Sequence, residues 1–458
     1  MEDKIDIFSL GKYGLKSAQN KNSDMKCAEI FFGKNKYVNI EVEENSVKNS
    51  EIGTDRGVSI RIIDKRGSLG FAFTNKLDKK SIDKIVNLAL KMMKAGTEDQ
   101  EFKDLPIYYK KYPTVTGLFD DNLRNMEIEE TIGAIEDLIK VCNDDDLAIS
   151  QSADFVSNYY KKYIFNSNGL EANGKETICT ISSNITVKDK ISGETSFGHD
   201  WQAERQFLKL NATKIAQNAL EDAKRNLNRI KIKNMKVPLI LTPYGVISLI
   251  LYPISSAING ETFQYRRSFL VDKRDEIIGS KFLNIEDKAL INGLAGSSSF
   301  DGEGVPRKNK RILENGKFLT DGLLHNSYTA GKEGIESTGN ASRGSYSAIP
   351  SIGTTNFIMN PGNFSKKEMI KDVKKGIILD YTGDSPNIAT GDFSGLILHG
   401  NLIVNGEIKD PLNETMVGIN LLDLFSKIDA VSKEFKIFGA YHAPYVRIEK
   451  AQIIGAAH

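Results

Sequence analysis

Over Gly57–Ile63 apolar and polar residues alternate, Val58, Ile60 and Ile62 against Ser59 and Arg61, the two-residue repeat of a half-buried strand. Cys27–Phe32, Tyr37–Val42 and Ser68–Thr74 read as further strands around it. The period then changes. Ile82, Ile85, Ala89, Met92 and Met93 return every three or four residues, Asp78 stands where a helix cap is wanted, and Gly96 stands where the helix should close. These elements make a first unit over 26–96. The polar stretch 1–25, with an Asn/Lys/Ser cluster at 20–26, is expected to be a flexible arm, and 97–120, with Pro106 and Pro113, a connector.

A second helical stripe starts near Met126 and carries Ile128, Ile132, Ile135, Leu138 and Ile139 to the acidic turn Asn143–Asp146. Long strands are predicted at 147–165 and 176–189, joined by a loop with Asn168-Gly169 and Asn173-Gly174, pairs that tolerate the positive φ of tight turns. A long helix over 202–228 would place Leu208, Ala212, Ile215, Ala219 and Ala223 on one stripe. The basic run Lys231–Lys236 marks the end of a central unit, 121–232.

From 233 to 458 the chain is rich in Gly and Ser, with hairpin signals at Asn315-Gly316 and Asn405-Gly406 and a capping box, Ser365 to Glu368. The expected fold class is α+β. An N-terminal α/β region with long helices precedes a mainly antiparallel β domain with short helices and glycine-rich loops. Loops of that length in a compact domain usually carry function.

Val237–Gly260 runs 24 residues without a charge and imitates a membrane span. It also contains Pro238, Pro243, Pro253 and several small polar residues, whereas a spanning helix needs about 20 predominantly apolar ones. A strand over Val237–Leu241, a Thr-Pro turn and a buried helix are expected instead, with no membrane association. Lys+Arg 61 against Asp+Glu 60 leaves a net charge of +1, without the basic excess of a nucleic-acid or membrane-surface binder.

The cysteines, Cys27, Cys142 and Cys179, are too widely spaced for a metal clip or a disulfide framework. With no basic start followed by an apolar run at the N-terminus, they read as reduced, buried thiols of a cytoplasmic protein. The histidines, His199, His325, His399, His442 and His458, form no HExxH or HExxxH. Gly391–Gly395 lacks the spacing of a nucleophile elbow, and Gly293–Ser299 lacks the Gly-Lys-Ser/Thr ending of a P-loop. Residue chemistry alone names no active site.

The run Gly293-Leu-Ala-Gly-Ser-Ser-Ser-Phe-Asp-Gly-Glu-Gly-Val305 closely resembles the third domain of the TldD/PmbA family. Arg311–Leu319, Tyr328–Gly334, Ser337–Ala341, Ile388–Gly395 and Leu402–Ile408 continue the likeness, and Gly57–Arg61 with Gly70–Asn75 resembles the family's first domain. The match spans roughly 28–456. TldD-type chains of that family carry HExxxH on a helix and, with a C-terminal cysteine, hold the zinc of a peptidase. TldE/PmbA-type chains lack the motif and pair with them. Here the corresponding segment, Tyr244–Glu261, contains no histidine, and no cysteine follows Cys179. Leu, Ile and Ser cannot ligate zinc as imidazole does, and Pro253 would kink a helix meant to present ligands.

The resemblance therefore implies a PmbA/TldE-type subunit of a cytosolic zinc metalloprotease that degrades or processes unfolded peptides. It would act in a dimer, without zinc of its own and without activity alone, the zinc being held by a TldD-type partner. The glycine-rich loops 293–304 and 339–345 would line the peptide cavity, with Asp301, Glu303, His325 and Asp392 as polar groups facing it. Two other readings stand beside this one. The first is a homodimeric peptidase with a divergent metal site built from His325, His399 or His442. The second is a non-proteolytic regulator such as a DNA-gyrase modulator, for which the near-zero net charge argues against direct DNA contact.

Overall fold

The computed structural model describes residues 6–456. Helix α1 (Ile7–Lys21) leads into strands β1 (Met25–Glu43), β2 (Ser46–Asp64) and β3 (Leu69–Thr74), followed by helix α2 (Lys79–Ala95). After the connector come α3 (Asp121–Asn125), α4 (Glu129–Asn143), β4 (Ala148–Asn166), β5 (Glu171–Lys188), β6 (Thr195–Glu204) and α5 (Ala212–Arg225). The six strands form one antiparallel sheet in the order β3-β2-β1-β4-β5-β6. The two runs expected at Cys27–Phe32 and Tyr37–Val42 are one 19-residue strand, because Gly33–Lys36 keep their pairing with both β2 and β4.

Alternation along β1 separates two environments. Ala28, Ile30 and Phe32 enter one core with α1 and α2, and Val38, Ile40 and Val42 enter a second with α4 and α5, all on the same face. The other face, carrying Glu29, Phe31 and, on β2, Arg61, is covered by the C-terminal half of the chain. Val58–Asp64 is thus buried throughout, where the sequence pattern alone suggested a half-buried strand.

Two expectations need correction. The segment expected to be a flexible arm contains α1, with Leu10, Gly11, Gly14 and Ala18 buried and Asp6 accepting from the Ser9 N–H at 3.0 Å. Apart from Leu10, its buried stripe is made of small residues. A Cβ on Gly14 would lie 2.6 Å from Ile30 Cδ1, so the helix reaches the sheet only through glycine, and the periodicity of large apolar residues is weak there. Asp83 of α2 then ties α1 down, accepting from Tyr13 at 2.5 Å, Ser17 at 2.6 Å and Lys21 at 3.1 Å. The helix expected over 202–228 begins only at Ala212, where Asn211 accepts from the Lys214 N–H at 2.9 Å. Residues up to Glu204 belong to β6, and Leu208 is 84% exposed rather than on the stripe.

In the C-terminal half, Met235–Leu241, Lys375–Thr382, Asp392–Val404, Met416–Asn420 and Tyr441–Ile454 pair in a ring that closes on itself. Shorter strands at 285–288, 310–314, 317–318 and 356–359 extend this mostly antiparallel sheet. After Met235–Leu241 the chain turns at Thr242 and Pro243 into a helical segment running to Ala257. Val246, Leu249, Ile250, Leu251, Ile254 and Ala257 of that segment fill the core of the ring. Pro253 has no N–H to donate, and the turn before it, Ile247–Leu251, widens to π-helical spacing, with the Tyr252 N–H donating to the Ile247 carbonyl. Among the described residues no helix is long and apolar enough to cross a membrane.

Of the local turn signals, Asn173-Gly174 is not realised, because it lies inside β5 paired with Tyr163 and Lys162, whereas Gly169 has a φ of 83° in the turn between β4 and β5. Asn315 and Gly316 have φ of 50° and 76°, and Asn405 and Gly406 have φ of 50° and 78°. Ser365 and Glu368 make a reciprocal capping box. Ser365→Ala is expected to cost about 1 kcal/mol, seen as a lower urea midpoint with an unchanged slope. Cys27, Cys142 and Cys179 are buried and free. Burial pushes their thiols up to about 12, 11 and 12, which leaves them unreactive.

Candidate functional site

The sheet face turned away from the helices presents Glu29 and Phe31 from β1, Arg61 from β2, Lys162 from β4, and Ala172, Gly174 and Glu176 from β5. Both glycine-rich loops lie against this face. Phe300 packs among Phe31, Ile164, Leu170 and Ala172, and the connector closes the edge through Tyr112, whose hydroxyl donates to the Gly304 carbonyl at 2.9 Å. The Thr116 N–H likewise donates to the Asn292 side chain at 3.0 Å.

Four buried charges pin the loops to the sheet. Arg61 Nη2 donates to Glu29 Oε2 at 2.9 Å and to Glu303 Oε1 at 2.7 Å, and Arg343 pairs with the other Glu29 oxygen. Glu303 also accepts from the Ser327 N–H at 2.8 Å and hydroxyl at 2.7 Å. Burial by itself would raise the Glu29 carboxyl, but Arg343 and Arg61 hold it below the ordinary carboxylate range. Asp301 organises the loop. One oxygen accepts from the Glu303 and Val305 N–H groups, each at 2.9 Å, and the other accepts from the Ala341 N–H at 2.9 Å. Burial and the neighbouring Glu303 push its carboxyl up to about 6.

The four residues named from the sequence therefore occupy different settings. Asp301 and Glu303 share one buried network at the junction of sheet and loops, their oxygens already engaged. His325 is buried nearby against Gly260, with Nδ1 3.1 Å from Thr329 Oγ1, and burial pushes its imidazole down to about 4. Asp392 lies apart on an exposed strand end, accepting from Asn420 Nδ2 at 2.9 Å.

Open space on this face gathers instead around Lys162 and Glu176. Three adjoining cavities of 210, 340 and 520 Å³ all include these two side chains, and loop residues from 295–300 and 341–346 form their opposite wall. Lys162 Nζ meets Glu176 Oε1 at 3.3 Å and stands 5.0 Å from the centre of the Phe300 ring. Arg205, at the end of β6, meets Glu176 Oε2 at 3.1 Å and donates to the carbonyls of Leu294, Ala295 and Ser297 at 3.3, 2.5 and 3.0 Å. One guanidinium thus sets the shape of the loop 294–297. No motif marks these residues in the sequence: Lys162 and Glu176 stand in predicted strands, and Arg205 in the helix expected over 202–228.

Burial would raise the Glu176 carboxyl, but Lys162 and Arg205 hold it at about 2. A depressed folded-state value contributes stability above the ordinary value of 4.5, and that contribution is lost as pH falls from 4.5 toward 2. The stability advantage of the wild type over Glu176→Gln is therefore expected to be largest above pH 4.5. It should shrink steadily between pH 4.5 and 2, as read from urea midpoints at each pH.

The helical segment Tyr244–Ala257 does not fit a zinc ion. Its less buried side offers Tyr244, Ser248, Tyr252 and Ser255, while Leu249, Ile250, Ile254 and Ala257 point into the core. Hydroxyls are poor zinc ligands beside imidazole, thiolate or carboxylate, and Ser255 already donates to the Tyr252 carbonyl at 2.8 Å. His399 Nδ1 stands 3.0 Å from Asp222, His442 is buried with Nε2 unpartnered among the described residues, and His458 lies outside them. Among the described residues no three His, Cys, Asp or Glu side chains stand in metal-ligating proximity.

Comparison with known proteins agrees with this architecture along the whole chain. Residues 28–93 match PmbA/TldA metallopeptidase domain 1, residues 121–227 the central domain and residues 234–455 the C-terminal domain. A metalloprotease of Methanocaldococcus jannaschii is 29% identical over 410 residues, 88% of each chain. A metalloprotease PmbA homolog of Buchnera aphidicola is 25% identical over 467 residues, covering 99% of this chain and 98% of that one. The crystal structure of TldE from Thermococcus kodakarensis superposes with a TM-score of 0.85 at 23% identity, over 98% of this chain and all of that one, which shows a shared fold. With three successive domain matches and relatives aligned nearly end to end, the chain belongs to the PmbA/TldD metallopeptidase family.

Proposed function

We propose that this chain is a PmbA/TldE-type subunit that works with a TldD-type partner, which holds the zinc and performs peptide hydrolysis. The observation that carries the reading is the helical segment Tyr244–Ala257, whose accessible side offers hydroxyls where a zinc site needs imidazoles. The chain's own contribution is the cleft around Lys162 and Glu176, whose loop wall brings main-chain groups close to the space a peptide would fill. Main-chain contacts of that kind bind extended peptide with little preference for side chains, which suits an unfolded substrate. Asp301 and Glu303 act from behind, holding the loops in place, rather than touching substrate. Three free, buried thiols suit a reducing, cytoplasmic setting.

The test is co-purification from the native cell, followed by zinc analysis and cleavage of an unfolded protein substrate. An HExxxH-bearing chain is expected at equal stoichiometry, with zinc and activity present in the pair and absent from the isolated chain. About one tightly held zinc per isolated chain, together with peptidase activity, would overturn the reading.

A further inference from the structure

A second cavity, of 260 Å³, lies between α5 and the end of strand Met235–Leu241 and shares no lining residue with the cleft. Its most buried lining residues include Thr242, Asp200 and Asp380, which are 5%, 5% and 7% exposed. Among the described residues Asp200 accepts side-chain hydrogen bonds from neutral donors only, Tyr244 Oη at 2.9 Å and Asn218 Nδ2 at 2.6 Å. Asp222 and Asp380 share one guanidinium, with Arg225 Nη2 at 2.6 Å from each. Asp200, Asp222 and Asp380 thus have Arg225 as their one permanent cation, with His399 3.0 Å from Asp222, while the remaining charges of the lining, Glu221, Lys366 and Lys436, sit at its more exposed side.

An independent observation points to a ligand. Thr242 stands at a helix N-cap, yet its hydroxyl does not cap, and among the described residues Oγ1 is buried without a hydrogen-bond partner while the residue lines the cavity. A buried hydroxyl left unpaired is costly unless a ligand or water meets it. Asp380 likewise engages only Oδ2, so its other oxygen is open to a donor. The more exposed lining carries the two lysines. Lys366 is half-buried, with Nζ 3.2 Å from Tyr445 Oη, and Lys436 is exposed.

We propose that this cavity binds a small zwitterion, a free amino acid or a dipeptide, with its ammonium group on Asp380 and Thr242 and its carboxylate at Lys366 and Lys436. The assignment is independent of the proposed partnership and can be tested on the chain alone.

Calorimetric titration with L-alanine and with L-alanyl-L-alanine separates the two sources, and saturable 1:1 binding of at least one is expected. Acetylating the amine of the bound compound should weaken binding by about tenfold or more, through loss of a charge-assisted contact in a buried site. Amidation of its carboxylate should weaken binding as well, and 1,4-diaminobutane should bind more weakly than the zwitterion. Asp380→Asn should cost about tenfold in affinity. Thr242→Val removes a buried hydroxyl that makes no hydrogen bond among the described residues, so it should keep or raise the melting temperature while lowering affinity. No saturation by either compound at tens of millimolar would overturn the proposal. So would equal affinity for the acetylated compound or the diamine, or unchanged affinity in Thr242→Val.

Discussion

Arg61→Met is expected to cost about 3–5 kcal/mol of stability, the penalty for removing one partner from a buried ionic cluster. Arg61, Glu29 and Glu303 are 7%, 1% and 0% exposed, so water cannot replace the lost guanidinium. In the variant Glu303 keeps only the Ser327 N–H and hydroxyl, and Glu29 keeps only Arg343. Arg61→Met combined with Glu303→Met should recover a large part of the loss, because it leaves the Glu29–Arg343 pair balanced and removes the stranded carboxylate. Breaking the exposed pair Lys12–Glu171, with side chains 64% and 44% exposed, should leave the urea midpoint essentially unchanged. A midpoint for Arg61→Met equal to that of the wild type would show that the cluster does not hold the domains together. Because the cluster ties β1 and β2 to the loops at 303 and 343, the peptide binding proposed for the cleft is expected to fall with stability.

Gly198→Ala is expected to cost about 3 kcal/mol, at the upper end of what overpacking produces. A Cβ at this position of β6 would lie 2.0 Å from the Ala219 carbonyl oxygen and 2.3 Å from the Ala223 nitrogen. Both are backbone atoms of α5, at residues with no exposed surface, so no side chain can swing aside and the helix must lift. Since α5 also carries Asp222 and Arg225, binding of the zwitterion should weaken in the same variant. Gly133→Ala makes the contrast. Gly133 lies inside α4, a Cβ there would meet nothing within 4 Å, and the change should stabilise by about 0.5–1 kcal/mol. Denaturant titration of the two variants compares a glycine required for close approach with one that is not.

The residues that carry the zwitterion proposal come from distant parts of the chain. Asp200 ends up beside Tyr244, Asp222 shares Arg225 with Asp380, and none of these carries a motif. Lys162, Glu176 and Arg205 were equally silent, since their meeting depends on the β4–β5 register and on a loop some ninety residues beyond Arg205. The family likeness, by contrast, was legible because the loop 293–305 is an unbroken stretch of sequence. The absence of histidine from Tyr244–Glu261 could be read in the same way.

By itself the sequence determined what a few neighbouring residues decide. These were the Asn-Gly turns at 315 and 405, the box at Ser365, the strand, Thr-Pro turn and helix after Val237, and the alternation that turns Arg61 away from Val58, Ile60 and Ile62. Backbone dihedrals and caps depend on groups within four residues of one another, so the local chain contains all the information they need. Tertiary structure alone decided that α1 packs, that Arg61 is buried rather than exposed, and that the carboxylates of Asp301 and Glu303 serve the loops. Those outcomes depend on which surfaces are removed from water together, and a charge 242 positions away in sequence, as Glu303 is from Arg61, enters that balance only once the chain has closed.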